Sequence, residues 1–309
     1  MQTTTTSTNE SLAVPRLTAL MANGRLLTTL ALLTLYIIWG TTYLAIRYAL
    51  ESFPPYLMMG LRFTMAGGAL FTFMRLRGAP LPTFKQWRSA ALVGTLLLVG
   101  GMGSVAMAEQ WISSGLAATM VATVPLWVLG FGMIWGKAPT RTEWIGVGLG
   151  LLGVAILSLE GNLQANPQGV LLIIFATMCW SLGSVWMSHL DMPPGAMGNA
   201  AEMLSGGIIL LVAGLVRGEQ IDTPLTTNAV LALAYLTTFG SLATITAYMF
   251  LLKTVPASLA TSYTFVNPVV ALLLGVVVGG EVISGSVLIA LPIILLAIAF
   301  VLRGKRSAH

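Results

Sequence analysis

The sequence is poor in the charged residues that cover the surface of soluble proteins. Asp, Glu, Lys and Arg make up 8% of its 309 residues, whereas soluble proteins carry about 25%. Hydrophobic residues make up 56%. This balance excludes an ordinary soluble domain and predicts a protein that is dissolved in a lipid bilayer.

Residues suited to catalysis or metal binding are also scarce. Cys179 is the only cysteine, so an intrachain disulfide and a CxxC redox pair are excluded. The histidines, His189 and His309, belong to no HExxH motif, and the sequence has no GxSxG motif. We therefore predict no catalytic residues, no cofactor and no metal site. A membrane-embedded enzyme is the alternative, but its acid–base chemistry would depend on Glu202 alone.

The positive charge is not concentrated in any one stretch. The net charge is +5, yet no soluble stretch carries the clustered Lys and Arg of a nucleic-acid-binding face. We therefore predict no nucleic-acid partner.

Long apolar runs take up most of the chain. A helix that crosses a hydrocarbon core of about 30 Å needs roughly 20 mainly apolar residues. Ten runs qualify, and the connections between them are short and polar or contain proline. The sequence thus predicts an all-α membrane protein with ten transmembrane helices, at 26–48, 56–74, 89–109, 115–135, 144–159, 169–187, 195–216, 227–251, 257–279 and 283–302.

The basic residues are distributed unequally between the two sides of these spans. Because Lys and Arg are enriched in cytoplasmic loops, the richer side is predicted to be cytoplasmic. This places both termini in the cytoplasm and predicts a multi-pass protein of the bacterial inner membrane. Twelve of the 15 basic residues lie on that side: Arg16, Arg25, Arg75, Arg77, Lys85, Arg88, Lys137, Arg141, Lys253, Arg303, Lys305 and Arg306.

Two terminal segments lie outside the predicted spans. Residues 1–25 are polar and rich in threonine, and they lack the short apolar core and cleavage site of a signal peptide. We predict a disordered cytoplasmic N-terminus over 1–25 and a basic cytoplasmic tail over 303–309.

The second half of the chain repeats landmarks of the first half. Pro54-Pro55 before the second span corresponds to Pro193-Pro194 before the seventh, and Pro125 in the fourth span corresponds to Pro268 in the ninth. We therefore divide the chain into two five-helix repeats, 26–160 and 168–302. An odd number of helices gives the two copies opposite orientations, as in many secondary transporters.

These landmarks resemble those of the drug/metabolite transporter superfamily, specifically its EamA-type members. The resemblance covers all ten spans and is carried by Trp39-Gly40, Pro54-Pro55, Pro125, Asn267-Pro268 and Gly280-Glu281. It implies a secondary transporter that exports small metabolites by alternating access. Within the superfamily the chain is most similar to bacterial aromatic amino acid exporters (YddG-like). One departure is Gly136-Lys137, where Gly-Glu is usual.

Two ionisable residues lie well inside the predicted spans, where a charge costs ~2.5–3.5 kcal/mol. Arg62 and Glu202 occupy nearly matching positions of the two repeats. They could meet as a pair or face a wet cavity, or each could snorkel to its nearer surface. Arg62 is predicted to bind substrate, and Glu202 is the candidate carboxylate for coupling to protons.

Aromatic and small polar residues form a second candidate set. Rings near span centres do not belong to an interfacial belt and could line an apolar pocket for flat or hydrophobic substrates; ordinary helix packing is the alternative. Pro125 and Pro268 would bend their helices or free a carbonyl for a ligand. The predicted substrate-binding residues besides Arg62 are Trp39, Thr42, Tyr43, Trp180, Ser184, Tyr248, Tyr263 and Asn267.

The predicted function is secondary transport, since the sequence has no ATP-binding P-loop. An aromatic, weakly charged pocket favours aromatic or hydrophobic amino acids, which the family resemblance suggests are exported. Drugs or other small organic metabolites are the alternative cargo, and a passive channel is the alternative mechanism. The predicted partners are one small-molecule substrate and the lipid bilayer, and the protein is predicted to be a monomer or a weak homodimer.

Overall fold

The computed structural model describes residues 13–136, 139–158, 166–255, 263–283 and 285–306, and all the regular structure in them is helical. We number ten helical stretches in chain order. α1 is Ala13–Thr34, a π-helical turn Leu35–Trp39 and Gly40–Ala49; α2 is Pro55–Leu76; α3 is Phe84–Ala108, with a π-helical segment Thr95–Gly103; α4 is Ser114–Val121, Val124–Gly132 and a 3₁₀ turn Met133–Trp135; α5 is Arg141–Ser158; α6 is Pro167–Met187; α7 is Ala196–Val216; α8 is Thr227–Thr237, a π-helical turn Thr238–Ala243 and Thr244–Thr254; α9 is Tyr263–Val277; and α10 is Gly285–Arg306.

Seven of these helices, α1 to α4 and α6 to α8, are long and apolar enough to cross a membrane. α9 and α10 contain the shorter apolar helices Val266–Val277 and Gly285–Phe300. Large apolar side chains also cover the outside of the bundle, where Leu76, Val216 and Val277 are each about four-fifths exposed. Such a surface suits lipid rather than water, so the chain is a multi-pass membrane protein.

The N-terminus differs from its prediction. α1 begins at Ala13, so residues 13–25 are helical and not disordered, while residues 1–12 lie outside the described part. Alanine, leucine and methionine are strong helix formers, and a helix that is already nucleated by the adjoining apolar run extends at little cost. Residues 257–262 of the predicted ninth span and 307–309 of the tail also lie outside the described residues.

Local sequence signals set the helix ends. α3 starts with a capping box, in which Thr83 Oγ1 accepts from the Gln86 amide and Gln86 Oε1 accepts from the Thr83 amide. α8 starts in a similar way at Thr226, whose hydroxyl accepts from the Ala229 amide. α4 ends at Gly136, whose φ of 77° is a left-handed conformation that favours glycine.

The helices pack in pairs across the bundle. α2 packs along α7 and α5 packs along α10, while α4 lies against both α6 and α9. α3 contacts α6 and α7, and α8 contacts α1 and α2. The α2–α7 pair is close because glycines lie at the contact: a Cβ on Gly67 would lie 2.6 Å from the Leu204 amide nitrogen.

The core consists of two main clusters. One is formed by α1, α2, α3, α7 and α8 and includes Met58, Phe63, Met203 and Leu210. The other is formed mainly by α3, α4, α6, α9 and α10. Arg62 and Glu202 adjoin Phe63 and Met203 of the first cluster, whereas Glu109 follows Ala108 of the second cluster.

Candidate functional site

Arg62 is buried inside the bundle, with 2% of its surface exposed, so it does not snorkel to the membrane surface. Its Nε donates to Ser241 Oγ at 3.0 Å, and its Nη2 donates to the Gly240 carbonyl at 3.0 Å. Nη1 faces the weak acceptor Met59 Sδ at 3.8 Å. No carboxylate in the described part of the chain forms an ion pair with this guanidinium. In the described part of the chain its positive charge is therefore held by neutral acceptors.

Glu202 does not meet Arg62, whose hydrogen-bond partners lie on α8 instead. Glu202 is 9% exposed and lies where α7 packs against α3, with its backbone carbonyl close to Gly94. Among the described residues, no side chain forms an ion pair with its carboxyl group. The two ionisable residues therefore form two separate features of the bundle.

Three of the predicted aromatic residues come together from α1, α8 and α9. The ring centroids of Trp39 and Tyr263 are 4.6 Å apart in an edge-to-face contact, and those of Trp39 and Tyr248 are 5.7 Å apart. Tyr248 and Tyr263 are 6.0 Å apart. These distances are typical of stabilising aromatic pairs. We call Trp39, Tyr248 and Tyr263 the aromatic cluster.

Thr42 connects the aromatic cluster to Arg62. Its hydroxyl donates to the Trp39 carbonyl at 2.6 Å, one turn earlier on α1. Its methyl group faces Gly240, where an added Cβ would lie 3.1 Å from Thr42 Cγ2 and 3.3 Å from Arg62 Nη2. Trp39, Thr42, Gly240 and Arg62 thus form a continuous chain of contacts.

Asn267 links α9 to the π-helical turn of α1. With the amide oriented to satisfy both partners, its side-chain nitrogen donates to the carbonyls of Tyr36 at 3.3 Å and Tyr263 at 3.2 Å. Pro268 follows inside the helix. α4 is interrupted after Val121 and restarts with Pro125 in its first turn.

Of the remaining predicted site residues, those of α6 lie apart from the aromatic cluster, whereas Tyr43 of α1 interacts electrostatically with Tyr263. Trp180 packs against the π-helical segment of α3, where a Cβ on Gly101 would lie 3.1 Å from Trp180 Cε3. Ser184 donates to the Trp180 carbonyl of its own helix at 2.7 Å. Tyr43 is partly buried against the second core cluster. The structure therefore joins the candidates of α1, α8 and α9 but leaves those of α6 separate.

A polar cluster that the sequence did not predict lies at one end of the bundle, beside the α9–α10 connection. Glu281 Oε1 accepts from Arg47 Nη1 at 2.6 Å, from Ser114 Oγ at 2.7 Å and from the Ser114 amide at 3.0 Å. Its Oε2 accepts from the Gly115 amide at 3.2 Å. A carboxylate is stabilised at the start of a helix, here α4. We call these contacts the Glu281 lock.

Glu109 lies next to this lock, and it is the last residue of the third span predicted from the sequence, 89–109. It follows the last residue of α3, is 6% exposed, and neither of its carboxyl oxygens has a hydrogen-bond partner in the described part of the chain. Burial and the negative charge of Glu281 raise the pKa of its carboxyl group well above the ordinary value, and Arg47 opposes this shift.

The aromatic cluster does not line either of two cavities found in the described structure. One, of about 410 Å³, is apolar and lies among α4, α5 and α6, with Trp127 and Trp144 in its wall. The other, of about 270 Å³, lies beside the Glu281 lock and is lined by Trp111, Ser113 and Leu116.

Comparison with known proteins gives a consistent result. The model of the EamA-like transporter family matches residues 26–159 and again residues 167–303. The uncharacterized inner membrane transporter YedA of Escherichia coli K12 is 45% identical over 276 residues, covering 89% of this chain and 90% of YedA. The uncharacterized transporter YvbV of Bacillus subtilis is 28% identical, covering 89% and 91% of the two chains.

A protein of known crystal structure has the same fold. It superimposes with a TM-score of 0.64 over 90% of this chain and 98% of its own, at 22% sequence identity. Identity this low supports a common fold and no further likeness.

Proposed function

Because the chain belongs to the EamA-like transporter family, we propose that it is a secondary transporter that exports small metabolites by alternating access, most favourably amino acids with aromatic or hydrophobic side chains. The observation that carries the substrate class is the contact chain from Arg62 through Gly240 and Thr42 to the aromatic cluster. This chain of contacts joins the guanidinium of Arg62, which has no ion-pair partner among the described residues, to the aromatic cluster.

The proposed architecture is ten membrane spans in two inverted repeats, with both termini in the cytoplasm. Its support is that the family model matches two consecutive segments of similar length. The main contacts between helices have the same symmetry: exchanging the two repeats turns each of them into an observed contact. The α3–α6 contact corresponds to α8–α1, the α4–α6 contact to α9–α1, and α2–α7, α4–α9 and α5–α10 each pair equivalent helices. Two nearly equivalent halves can exchange conformations at low cost, which alternating access requires.

The proposed substrate pose places a carboxylate at Arg62 and a side chain against the aromatic cluster. Ser241 and Tyr248 are seven residues apart on α8, which is about 10 Å along a helix. That length accommodates one amino acid with a large side chain. The guanidinium donates only two hydrogen bonds to oxygen in the described structure, so N–H groups are left for a carboxylate.

Counterflow in proteoliposomes tests this function. Vesicles preloaded with unlabelled tryptophan, phenylalanine or leucine should accumulate the labelled compound transiently and saturably, because a carrier exchanges the two pools. A passive channel would show no accumulation. Drugs and other organic metabolites offered in parallel test the alternative cargo, and exchange of those compounds but of no amino acid would contradict the proposed substrate class.

Arg62→Gln tests the pose. A hydrogen bond to a charged group contributes about 1.5–3 kcal/mol, so apparent affinity for the amino acid should fall about 10- to 150-fold. Arg75→Gln is the matched control, because Arg75 is exposed at the end of the same helix and should have no effect. An Arg62→Gln variant that binds amino acids as tightly as the unmodified protein would exclude the carboxylate contact.

A further inference from the structure

Glu109 lacks the compensation that a buried carboxylate requires. Its two carboxyl oxygens are buried and have no hydrogen-bond partner in the described part of the chain. A buried charge without a partner costs several kcal/mol, so such a group takes up a proton instead. This unpaired carboxyl group lies at the end of α3, next to the Glu281 lock.

Arg47 is the only basic group that acts on Glu109 in the described structure, and it already forms an ion pair within the Glu281 lock. Arg47 is engaged by Glu281 at 2.6 Å, and Glu281 also holds the first turn of α4. One arginine therefore serves two acidic residues. When both carboxyl groups are ionised, one negative charge is left in excess in a buried space, and a single proton removes that excess.

We propose that Glu109 is a proton-binding site whose occupancy determines whether the Glu281 lock closes this end of the transporter. With the proton bound, Glu109 is neutral and Glu281 keeps both Arg47 and the start of α4. Without it, Glu109 repels Glu281 and competes for Arg47, so the α9–α10 connection separates from α4. This inference rests on the proposed transporter function, because closing one end matters only in a protein that alternates its access.

The surroundings of Glu109 contain few other titratable groups. Glu281 and Arg47 are the charged groups that act on it, and the Tyr43 phenol also interacts with it electrostatically. α2 and α6 pack against the last turns of α3. Glu160, in the connection before α6, lies outside the described residues. α2 carries Tyr56, Arg62 and Arg75, and the amides of Tyr56 and Leu57 at its start donate to Glu219. On α6, Cys179 faces Gly100.

Cysteine labelling of the full-length protein in nanodiscs, without any substrate, tests the proposal. Cys179 is replaced by alanine, and Leu116→Cys reports on opening, because Leu116 is buried in the first turn of α4 beside the lock. Its rate of reaction with a membrane-impermeant maleimide is divided by that of Val282→Cys, which is 91% exposed. This ratio removes the effect of pH on the thiol itself.

The expected result is a ratio that rises as pH increases from 5 to 9, by up to tenfold per pH unit, since one proton is linked to closure. Glu109→Gln should keep the ratio low at every pH, and Glu109→Met carries the same expectation should the Gln variant fold poorly. Glu51→Gln is the matched control, because Glu51 is exposed on the same side of the bundle, and it should retain the full response. Glu281→Gln should raise the ratio at every pH.

Three results would overturn the proposal. A ratio that does not change with pH, or a full pH response in both Glu109 variants, would exclude Glu109 as the proton site. Closure at pH 8 that requires Na⁺, and is lost when N-methylglucamine replaces it, would assign the site to a metal cation. Because no substrate is present, none of these results depends on the amino acid counterflow, and failed counterflow would leave the labelling result intact.

Discussion

The guanidinium of Arg62 and the backbone carbonyl of Gly240 are joined by a hydrogen bond of 3.0 Å. Gly240 lies in the π-helical turn Thr238–Ala243 of α8, and its carbonyl also accepts from the Thr244 hydroxyl. Turns of this kind often occur at functional sites. In this bundle the turn supplies the oxygen atoms that hold a buried guanidinium, which has no ion-pair partner among the described residues.

Ser241→Ala should destabilise the protein. It removes the acceptor of Arg62 Nε, and hydrogen bonds to charged groups contribute about 1.5–3 kcal/mol. Thermal unfolding in detergent should therefore shift to lower temperature by several degrees. Ser205→Ala is the control, because the Ser205 hydroxyl binds carbonyls of its own helix only. Equal unfolding temperatures for the two variants would show that the Arg62–Ser241 contact contributes little.

The adjacent residues Gly67 and Gly68 of α2 should respond oppositely to alanine. A Cβ at Gly67 would lie 2.6 Å from backbone of α7, whereas a Cβ at Gly68 would meet nothing within 4 Å. Gly67→Ala should force α2 and α7 apart and lower both the yield of folded protein and its unfolding temperature. Gly68→Ala should be neutral or stabilising by up to about 1 kcal/mol, since alanine is the better helix former. Similar losses for both variants, measured by size-exclusion chromatography and thermal unfolding, would contradict the α2–α7 contact.

The stability of the protein should depend on pH through Glu109. Its pKa is raised in the folded state, so the folded protein holds a proton that the unfolded chain releases above its ordinary pKa of about 4.3. Stability from this group is therefore complete below pH 4.3 and decreases as pH rises toward the folded-state pKa, by at most ~1.4 kcal/mol per pH unit.

Glu109→Gln should remove this decrease in stability at rising pH. Relative to the unmodified protein, its unfolding temperature should increase progressively from pH 5 to pH 8, while Glu51→Gln should show a constant difference. A Glu109→Gln variant that loses stability with pH as steeply as the unmodified protein would exclude a raised pKa at this residue.

The proposed roles of Glu202 and Glu109 can be separated by transport measurements. If Glu202 couples transport to protons, Glu202→Gln should abolish the pH dependence of uptake while the labelling response of the Glu281 lock is retained. Glu109→Gln should alter the labelling response of the Glu281 lock whether or not Glu202 couples transport to protons. Uptake by Glu202→Gln that keeps its full pH dependence would show that Glu202 is not the coupling site. The uptake assay uses the amino acid that gives the strongest counterflow.

Much of the fold could be predicted from the sequence because apolar length and turn residues determine membrane helices locally. The seven long helices each overlap a predicted span, and the EamA family prediction, which depended on landmarks such as Pro54-Pro55 and Gly280-Glu281, is confirmed. The helical residues 13–25 were missed, because polar composition was taken as disorder although helix formers were present.

The candidate site was predictable only in part. Trp39, Tyr248 and Tyr263 stood out as aromatic residues inside the predicted spans, and they meet. The partners of Arg62 did not stand out, because Ser241 and a glycine carbonyl carry no charge and their position depends on how α2 meets α8. Glu109 was not singled out at the end of the predicted third span, and Glu281 stood out only as part of the Gly280-Glu281 landmark. A hydropathy pattern locates the end of a helix, but it does not show whether a charged residue there is buried.

The π-helical segments have a consequence for how positions on these helices are chosen for mutagenesis. Those of α3 and α8 begin at Thr95 and Thr238, each the twelfth residue of its helix. One additional residue in a turn rotates everything after it by about 100°. A helical wheel drawn through Thr238 would therefore misplace Tyr248 by about 100° around the axis of α8. In scanning mutagenesis, α3 and α8 should therefore each be drawn as two helical wheels, one for the residues before the π-helical segment and one for the residues after it.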